Sequence, residues 1–426
     1  VFILMLVYVV FVIIRPQEYM AALAEISIMP LLLVGAFGLW LLHRGKPFWA
    51  PQFALILAFL LAIALSMVAS GWSGGAVDRL NVFGPEVIAF LVLATATTTP
   101  RRVTLMMTTL VLCSAVLAVH GLLQARDGIG WTGTPLTADG RIQYLGFFND
   151  PNDLGLLFVS TLPMALHLRK RAPWPLSWMF AICAGLFVYG VYLTNSRGGL
   201  LAVLAIAGLY AWQRFGVIAA ASAGAVGLAV MMALPSRLQE LDVGESSALG
   251  RVDAWYEGLQ MFLANPLFGV GMNNFTEYHY LTAHNSFILV LAETGFVGYT
   301  IWFAFFGYCF RMLWTIYSRR PLAESPARTP GVSVERVELT RDRAIAGALL
   351  LSLAGFFAAA FFLSRSYVLL LYLLAALAVG HYVGHVRRIE QPPPAVRSGD
   401  WLRWPLLALA SVVFFFVMVR VLLGLA

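Results

Sequence analysis

FALILAFLLAIALSMVA, residues 53–69, carries no charge and a single hydroxyl. A helix rises about 1.5 Å per residue, so roughly 20 apolar residues cross the ~30 Å hydrocarbon core of a bilayer. Lipid offers no partner for backbone N–H and C=O groups, so a run of this kind must be helical. Outward from it the same pattern repeats. Towards the N-terminus lie Val1 to Ile14 and Ile28 to Leu42. Beyond it follow Val82 to Thr98, Val103 to Gln124, Leu154 to Leu168, Trp178 to Thr194, Leu200 to Trp212 and Phe215 to Leu234. After a long polar break come Ser286 to Tyr317, Ala344 to Leu363, Tyr367 to His385 and Pro405 to Leu425. These thirteen runs predict an all-α, polytopic integral membrane protein with about 12 transmembrane helices. Either the last run lies against the membrane or two short runs share one crossing.

Composition agrees. Of the 426 residues, 60% are hydrophobic and 12% charged, and the mean hydropathy is +0.82. The organisation expected is a bundle over 1–234, a loop over 235–285 and a C-terminal group of helices over 286–426. The first run lacks a basic leader and a small-residue cleavage site and reads as a retained anchor. Cys113, Cys183 and Cys309 fall inside apolar runs, which implies packing and no disulfide or thiolate metal site.

Lys and Arg remain cytoplasmic in short membrane-protein loops. Arg44 and Lys46, Arg101 and Arg102, Arg169 to Arg171, Arg214, Arg319 to Arg343, and Arg387 with Arg388 fall on one side when the N-terminus is cytoplasmic. Segments 15–27, 70–81, 125–153, 195–199 and 235–285 are then outside. Topology accounts for the net charge of +7, so no nucleic-acid partner is needed.

The break from Gly250 to Gly298 collects Arg251, His279, His284, Asn285 and Glu293, more polar chemistry than spanning requires. Val252, Trp255, Leu259 and Phe262 recur at helical spacing and stop before Pro266, which predicts an amphipathic helix at the outer interface. Ser246 or Ser247 could cap the start of that helix, and Arg251 opens its apolar pattern, either as a ligand group or as part of its solvated face. His284 stands at the mouth of the next run. With an ordinary pKa of about 6.5 it can take a proton near neutrality, or it can be purely structural. His279 and His284 lack the i, i+4 spacing of a helical zinc pair and no carboxylate cluster joins them, so no metal site is expected.

Arg197, in Thr194-Asn195-Ser196-Arg197-Gly198-Gly199, violates the charge rule by sitting in a short external turn. A helix starting directly after it would present free N–H groups to an anion, whereas the alternative is an Arg reaching lipid headgroups. Asn149, Asp150, Pro151, Asn152 and Asp153 form a turn that caps the following helix and can also place amides and carboxylates against a sugar. Arg365 lies in a short outer turn, where it can bind an anion or reach the headgroups.

Two guanidiniums clamp a diphosphate through forked, charge-assisted hydrogen bonds worth roughly 1.5–3 kcal/mol each. If that diphosphate links a membrane lipid to a sugar, they would stabilise its departure while a neutral His284 deprotonates the attacking hydroxyl. A single displacement inverts the anomeric centre. A transporter or flippase is the non-enzymatic alternative, disfavoured because the spans read as almost free of charge.

Gly250-Arg251, Trp255, Asn265-Pro266-Leu267, Gly269-Val270-Gly271, Asn274-Phe275, His284-Asn285-Ser286 and Glu293-Thr294-Gly295 with Gly298 together resemble the signature of the O-antigen ligase and polymerase superfamily. Ser196-Arg197-Gly198-Gly199 and Pro151-Asn152 are similar to it as well. The resemblance implies a glycosyltransferase C-like helix arrangement in the bacterial inner membrane, a periplasmic active site and no cofactor. It implies an undecaprenyl diphosphate-linked glycan as donor. The acceptor is lipid A-core for a ligase, another lipid-linked repeat unit for a polymerase, or a protein hydroxyl. The ligase is preferred because the external loop carries an interfacial helix suited to a membrane-embedded acceptor. Arg197 and Arg251 would hold the diphosphate and His284 would be the base, with Asn149, Asn152, Asn285 and Arg365 as further substrate-binding residues.

Overall fold

The computed structural model describes residues 1–233, 246–319, 330–389 and 394–425, and the described residues contain helices and no strand. In chain order the α-helices are α1 (Phe2–Ile14), α2 (Ile28–Leu42), α3 (Gln52–Ala69), α4 (Ser73–Ala96), α5 (Pro100–Asp127), α6 (Pro151–Arg171), α7 (Leu176–Leu193) and α8 (Arg197–Phe215). They continue with α9 (Val217–Ala233), α10 (Ser246–Ala264), α11 (Phe275–Tyr278), α12 (Ser286–Ser318), α13 (Pro330–Ala360), α14 (Leu369–Val386) and α15 (Asp400–Leu425). Every apolar run read from the sequence is a helix. The organisational boundary drawn between 234 and 235 lies outside the described residues.

Among the described residues nine helices are long and apolar enough to cross a membrane, and α1, α2 and the described part of α9 are shorter apolar helices. The protein is thus an all-α, multi-pass membrane protein. The helix α6 is not among the nine. Its residues from Asp153 to Ala165 are all buried, enclosed by α5, α7, α8 and α13. A helix solvated by other helices has no need of a lipid-soluble surface, and α6 accommodates Ser160 and Thr161, whose hydroxyls bond back to Leu156 and Leu157. The helix α14, buried from Leu370 to His385, occupies the same kind of central place beside α4, α12 and α13. By contrast α2, α8 and α15 turn much of their surface outward, as lipid-facing helices must.

The interhelical segments gather at two ends. At one, Tyr144 donates to the Ile14 carbonyl at 2.7 Å, Arg141 reaches Thr194, Thr282 meets Ser364, and a Cβ at Gly271 would strike Met67 and Ser70. This end collects the described parts of all five segments expected to share a side. At the other, Arg388 donates to the Thr98 carbonyl and the Asp342 carboxylate, Arg171 to Thr340 and Arg343 to Tyr317. The cationic loops therefore also share an end.

Several helices start before their apolar runs, α13 at Pro330 and α15 at Asp400 among them. The helix α4 starts at Ser73, nine residues before the apolar run, because Ser73-Gly-Gly-Ala-Val-Asp-Arg-Leu-Asn81 continues helically beyond the apolar core. The helix α10 is more than a surface helix. Its Ala254, Trp255, Leu259 and Met261 are buried against α12 and α15.

Candidate active site

The long break is shaped by a discontinuity in α12. At Gly295 the chain adopts φ 62°, ψ −168°, which only glycine takes without strain. The interruption frees main-chain groups on both sides of it, and the loop after α10 satisfies them. Val270 and Gly271 donate to the carbonyls of Ala292 and Glu293 at 3.0 Å each, while Phe296 and Val297 donate to Pro266 and Leu267. Gly269, at φ 71°, lies so close that a Cβ would be 2.5 Å from the Ala292 carbonyl oxygen. The strings Asn265-Pro-Leu-Phe-Gly-Val-Gly271 and Glu293-Thr-Gly295 are thus two halves of one backbone junction. It fixes the loop that leads into His284.

Asn285 caps α12, its Oδ1 accepting from Phe287 and Ile288 at 2.9 and 3.1 Å. Fully buried, it is the hinge post of the site, and its Nδ2 is enclosed without a hydrogen-bond partner. Ser286 beside it donates to Leu363 at 2.6 Å and accepts from the Arg365 N–H at 2.8 Å. Ser366 in turn donates to the Ser286 carbonyl. These bonds tie the start of α12 to the turn between α13 and α14.

His284 is held at φ 47°, in the left-handed region, half-buried. Burial pushes its pKa below the ordinary value, the cations of Arg251 and Arg365 push it the same way, and Asp150 opposes them. The imidazole is accordingly neutral at neutral pH. That influence also locates it, since Arg251 from α10, Arg365 from the α13–α14 turn and Asp150 from the start of α6 all act on one ring. His279 is placed differently. Its Nε2 lies 3.1 Å from Asp253 Oδ2 and its Nδ1 meets the Leu281 main chain, which fastens α10 to the loop and leaves His279 a structural neighbour.

Arg365 engages both carboxylate oxygens of Asp153 and reaches Asp150 at 3.4 Å. Its guanidinium also lies 5.6 Å from the centre of the Phe147 ring. Asp150 is the N-cap of α6, accepting from the Asn152 N–H, so the turn has the capping role expected of it. Asn152 is fully engaged, donating to Asp150 and accepting from Arg141 Nη2 at 2.9 Å. Asn149 is exposed at the end of a single turn of 3-10 helix.

Arg141, which sequence reasoning passed over, joins two parts of the site. Its Nε donates to the Thr194 carbonyl at 2.7 Å while its Nη2 holds Asn152. The signal was present: Arg141 breaks the charge rule in the outer segment 125–153 as Arg197 does in 195–199. Arg197 is the first residue of α8 and half-buried, and Ser196 before it caps the helix by accepting from the Gly199 N–H. Gly198 lets this turn approach Phe362, which a Cβ would reach at 3.2 Å, and Gly155 of α6 packs on Thr194 and Ser196. The α7–α8 turn is thereby seated between the starts of α6 and the α13–α14 turn.

The spans are less free of charge than the sequence reading had them. Glu86 lies in α4, Glu293 in α12 and Asp342 in α13, the last two buried. Asp342 is engaged with His385 and Arg388 at the far end. Among the described residues no group of three or more His, Cys, Asp or Glu side chains is arranged to hold a metal.

No curated protein matches the chain. Arg197, Arg251, His284 and Asn285 all fall within residues 180–303, which match the family model described as O-Antigen ligase. Over that segment the chain is similar to the O-antigen ligase family.

Proposed function

We propose that the protein is an inverting O-antigen ligase that transfers a glycan from undecaprenyl diphosphate to lipid A-core on the periplasmic face of the inner membrane. The observation that carries this reading is His284, held in the left-handed region at the end of the bundle where the outer loops converge, with its pKa lowered by burial and by the cations of Arg251 and Arg365. A left-handed non-glycine residue costs about 1–3 kcal/mol, a cost tolerated chiefly where orientation matters.

In the proposed reaction an acceptor hydroxyl oxygen attacks the anomeric carbon from the face opposite the diphosphate. The new glycosidic bond forms as the bond from that carbon to the phosphate oxygen breaks. The hydroxyl proton passes to His284, and the electron pair leaves with the diphosphate, whose growing charge Arg197 and Arg251 stabilise. Arg141 and the Asp153–Arg365 pair hold the surrounding turns in place. Asn149 is available to a sugar, whereas Asn152 and Asn285 orient backbone first and substrate second. With guanidiniums holding the diphosphate, the scheme uses no cofactor. Membrane lipids surround the bundle and supply both substrates.

The test is transfer by purified protein given the lipid-linked glycan with lipid A-core, and then the donor alone. Glycan joined to lipid A-core supports the ligase. Donor-only elongation would replace it with the polymerase, and glycosylated protein with a protein transferase.

A further inference from the structure

A cavity of about 530 Å³ runs between α1, α2, α4 and α14. Its floor is made by Leu33, Leu370 and Leu373, all nearly inaccessible, whereas Val34 on its rim is 67% exposed. The cleft therefore opens along α2, a helix that packs on α1 and α4 and otherwise faces outward. Its volume is that of a small-ligand site, yet its lining is almost wholly apolar.

One end is polar. Arg15, paired with Glu18, stands at the mouth and lies against Gly146, where a Cβ would meet its guanidinium. Phe147, next in sequence, both lines the cavity and faces the Arg365 guanidinium at 5.6 Å. The mouth is thus continuous with the groups surrounding His284. Deeper in, the wall contains Glu86, whose Oε2 is buried with no hydrogen-bond partner. A buried carboxyl there offers a phosphate no counter-charge, so an anionic head is admitted at the mouth only and an uncharged chain inside.

We infer that this cavity holds the head-proximal part of the donor's isoprenoid chain, with the diphosphate turned out past Phe147 towards His284. The inference rests on the donor assigned under the proposed function and adds where that donor's lipid lies. The remainder of the chain continues into the bilayer along the open side of α2.

The test uses full-length protein in nanodiscs and a photoreactive undecaprenyl diphosphate, with the reactive group in the isoprene units next to the phosphate. Labelling of α2 and of residues 369–373, suppressed by unlabelled undecaprenyl diphosphate but not by excess phosphatidylethanolamine, is the expected result. Label confined to α8 or α15, or competed equally by phosphatidylethanolamine, overturns it. Leu33→Trp, which fills the cleft, should raise KM about tenfold for the long-chain donor and for a three-isoprene donor alike, and leave a donor with a methyl group in place of the chain within about twofold, because the lost contact is a binding contact to the head-proximal isoprenes. Equal loss with the methyl donor also overturns it. Labelling needs no acceptor and no turnover. A labelled cavity without transfer defeats the ligase reading alone, and transfer with label elsewhere defeats only the cavity assignment.

Discussion

The guanidinium of Arg365 grips both carboxylate oxygens of Asp153, a residue 212 positions earlier in the chain. The Asp153 side chain is 2% exposed, so the pair clamps the α13–α14 turn to the first turn of α6. Both turns reach the site, through Asp150 on one side and the Ser286 bond on the other. One ion pair thus sets the distance across the site.

Removing half of an enclosed pair leaves an uncompensated charge, which costs about 3–5 kcal/mol. Arg365→Gln should therefore lower the melting temperature in detergent markedly. Arg365→Gln with Asp153→Asn should recover much of that loss. A double variant no more stable than the single one would mean that Arg365 matters through substrate and hardly through the clamp.

Acid should silence the proposed transfer at a pH set by His284. Its pKa lies below the ordinary value, so transfer is expected to be flat through neutrality and to fall as acidification protonates the base. Arg251→Gln removes one cause of the depression, and the acid limb of its residual activity should move to higher pH. His284→Ala should abolish transfer while retaining donor binding. Near-normal transfer by that variant at neutral pH rules out the general-base role.

Arg197→Lys and Arg251→Lys keep the charge and lose the planar fork. Each should weaken donor binding and cut kcat/KM by about tenfold or more, the equivalent of one charge-assisted hydrogen bond of roughly 1.5–3 kcal/mol. Titration with undecaprenyl diphosphate in the absence of acceptor checks it. Wild-type affinity in both variants would remove the diphosphate from their care.

Gly295→Ala asks a side chain to fit φ 62° with a Cβ 2.4 Å from the Leu267 main chain. The strained conformation alone costs about 1–3 kcal/mol, and the clash would prise the loop from α12. Loss of the monodisperse peak in size-exclusion chromatography is expected. Full stability would show that the junction is more pliable than its hydrogen bonds imply.

The helices were legible because lipid forces the pattern: α2 begins and ends where hydropathy placed it, from Ile28 to Leu42. What hydropathy cannot see is a helix continuing past the apolar core, as at Ser73, or the central burial that excuses α6 from being lipid-soluble. In the candidate site, Arg197 and His284 stood out by breaking a rule or by standing alone. The roles of Asp153 and Arg141 did not, because their partners Arg365 and Thr194 are brought to them only by the tertiary fold. The Glu293-Thr-Gly295 string was visible as a motif, but its function as a backbone junction needed the loop from Pro266 to Gly271 beside it.

The most direct measurement follows release of undecaprenyl diphosphate by purified protein supplied with lipid-linked glycan and lipid A-core, with and without a divalent-metal chelator. Release matched by glycan joined to lipid A-core, undiminished by chelator and lost in His284→Ala, is the expected result. Release that needs no acceptor, that survives His284→Ala, or that stops in chelator and returns with magnesium would contradict transfer by an imidazole and two guanidiniums.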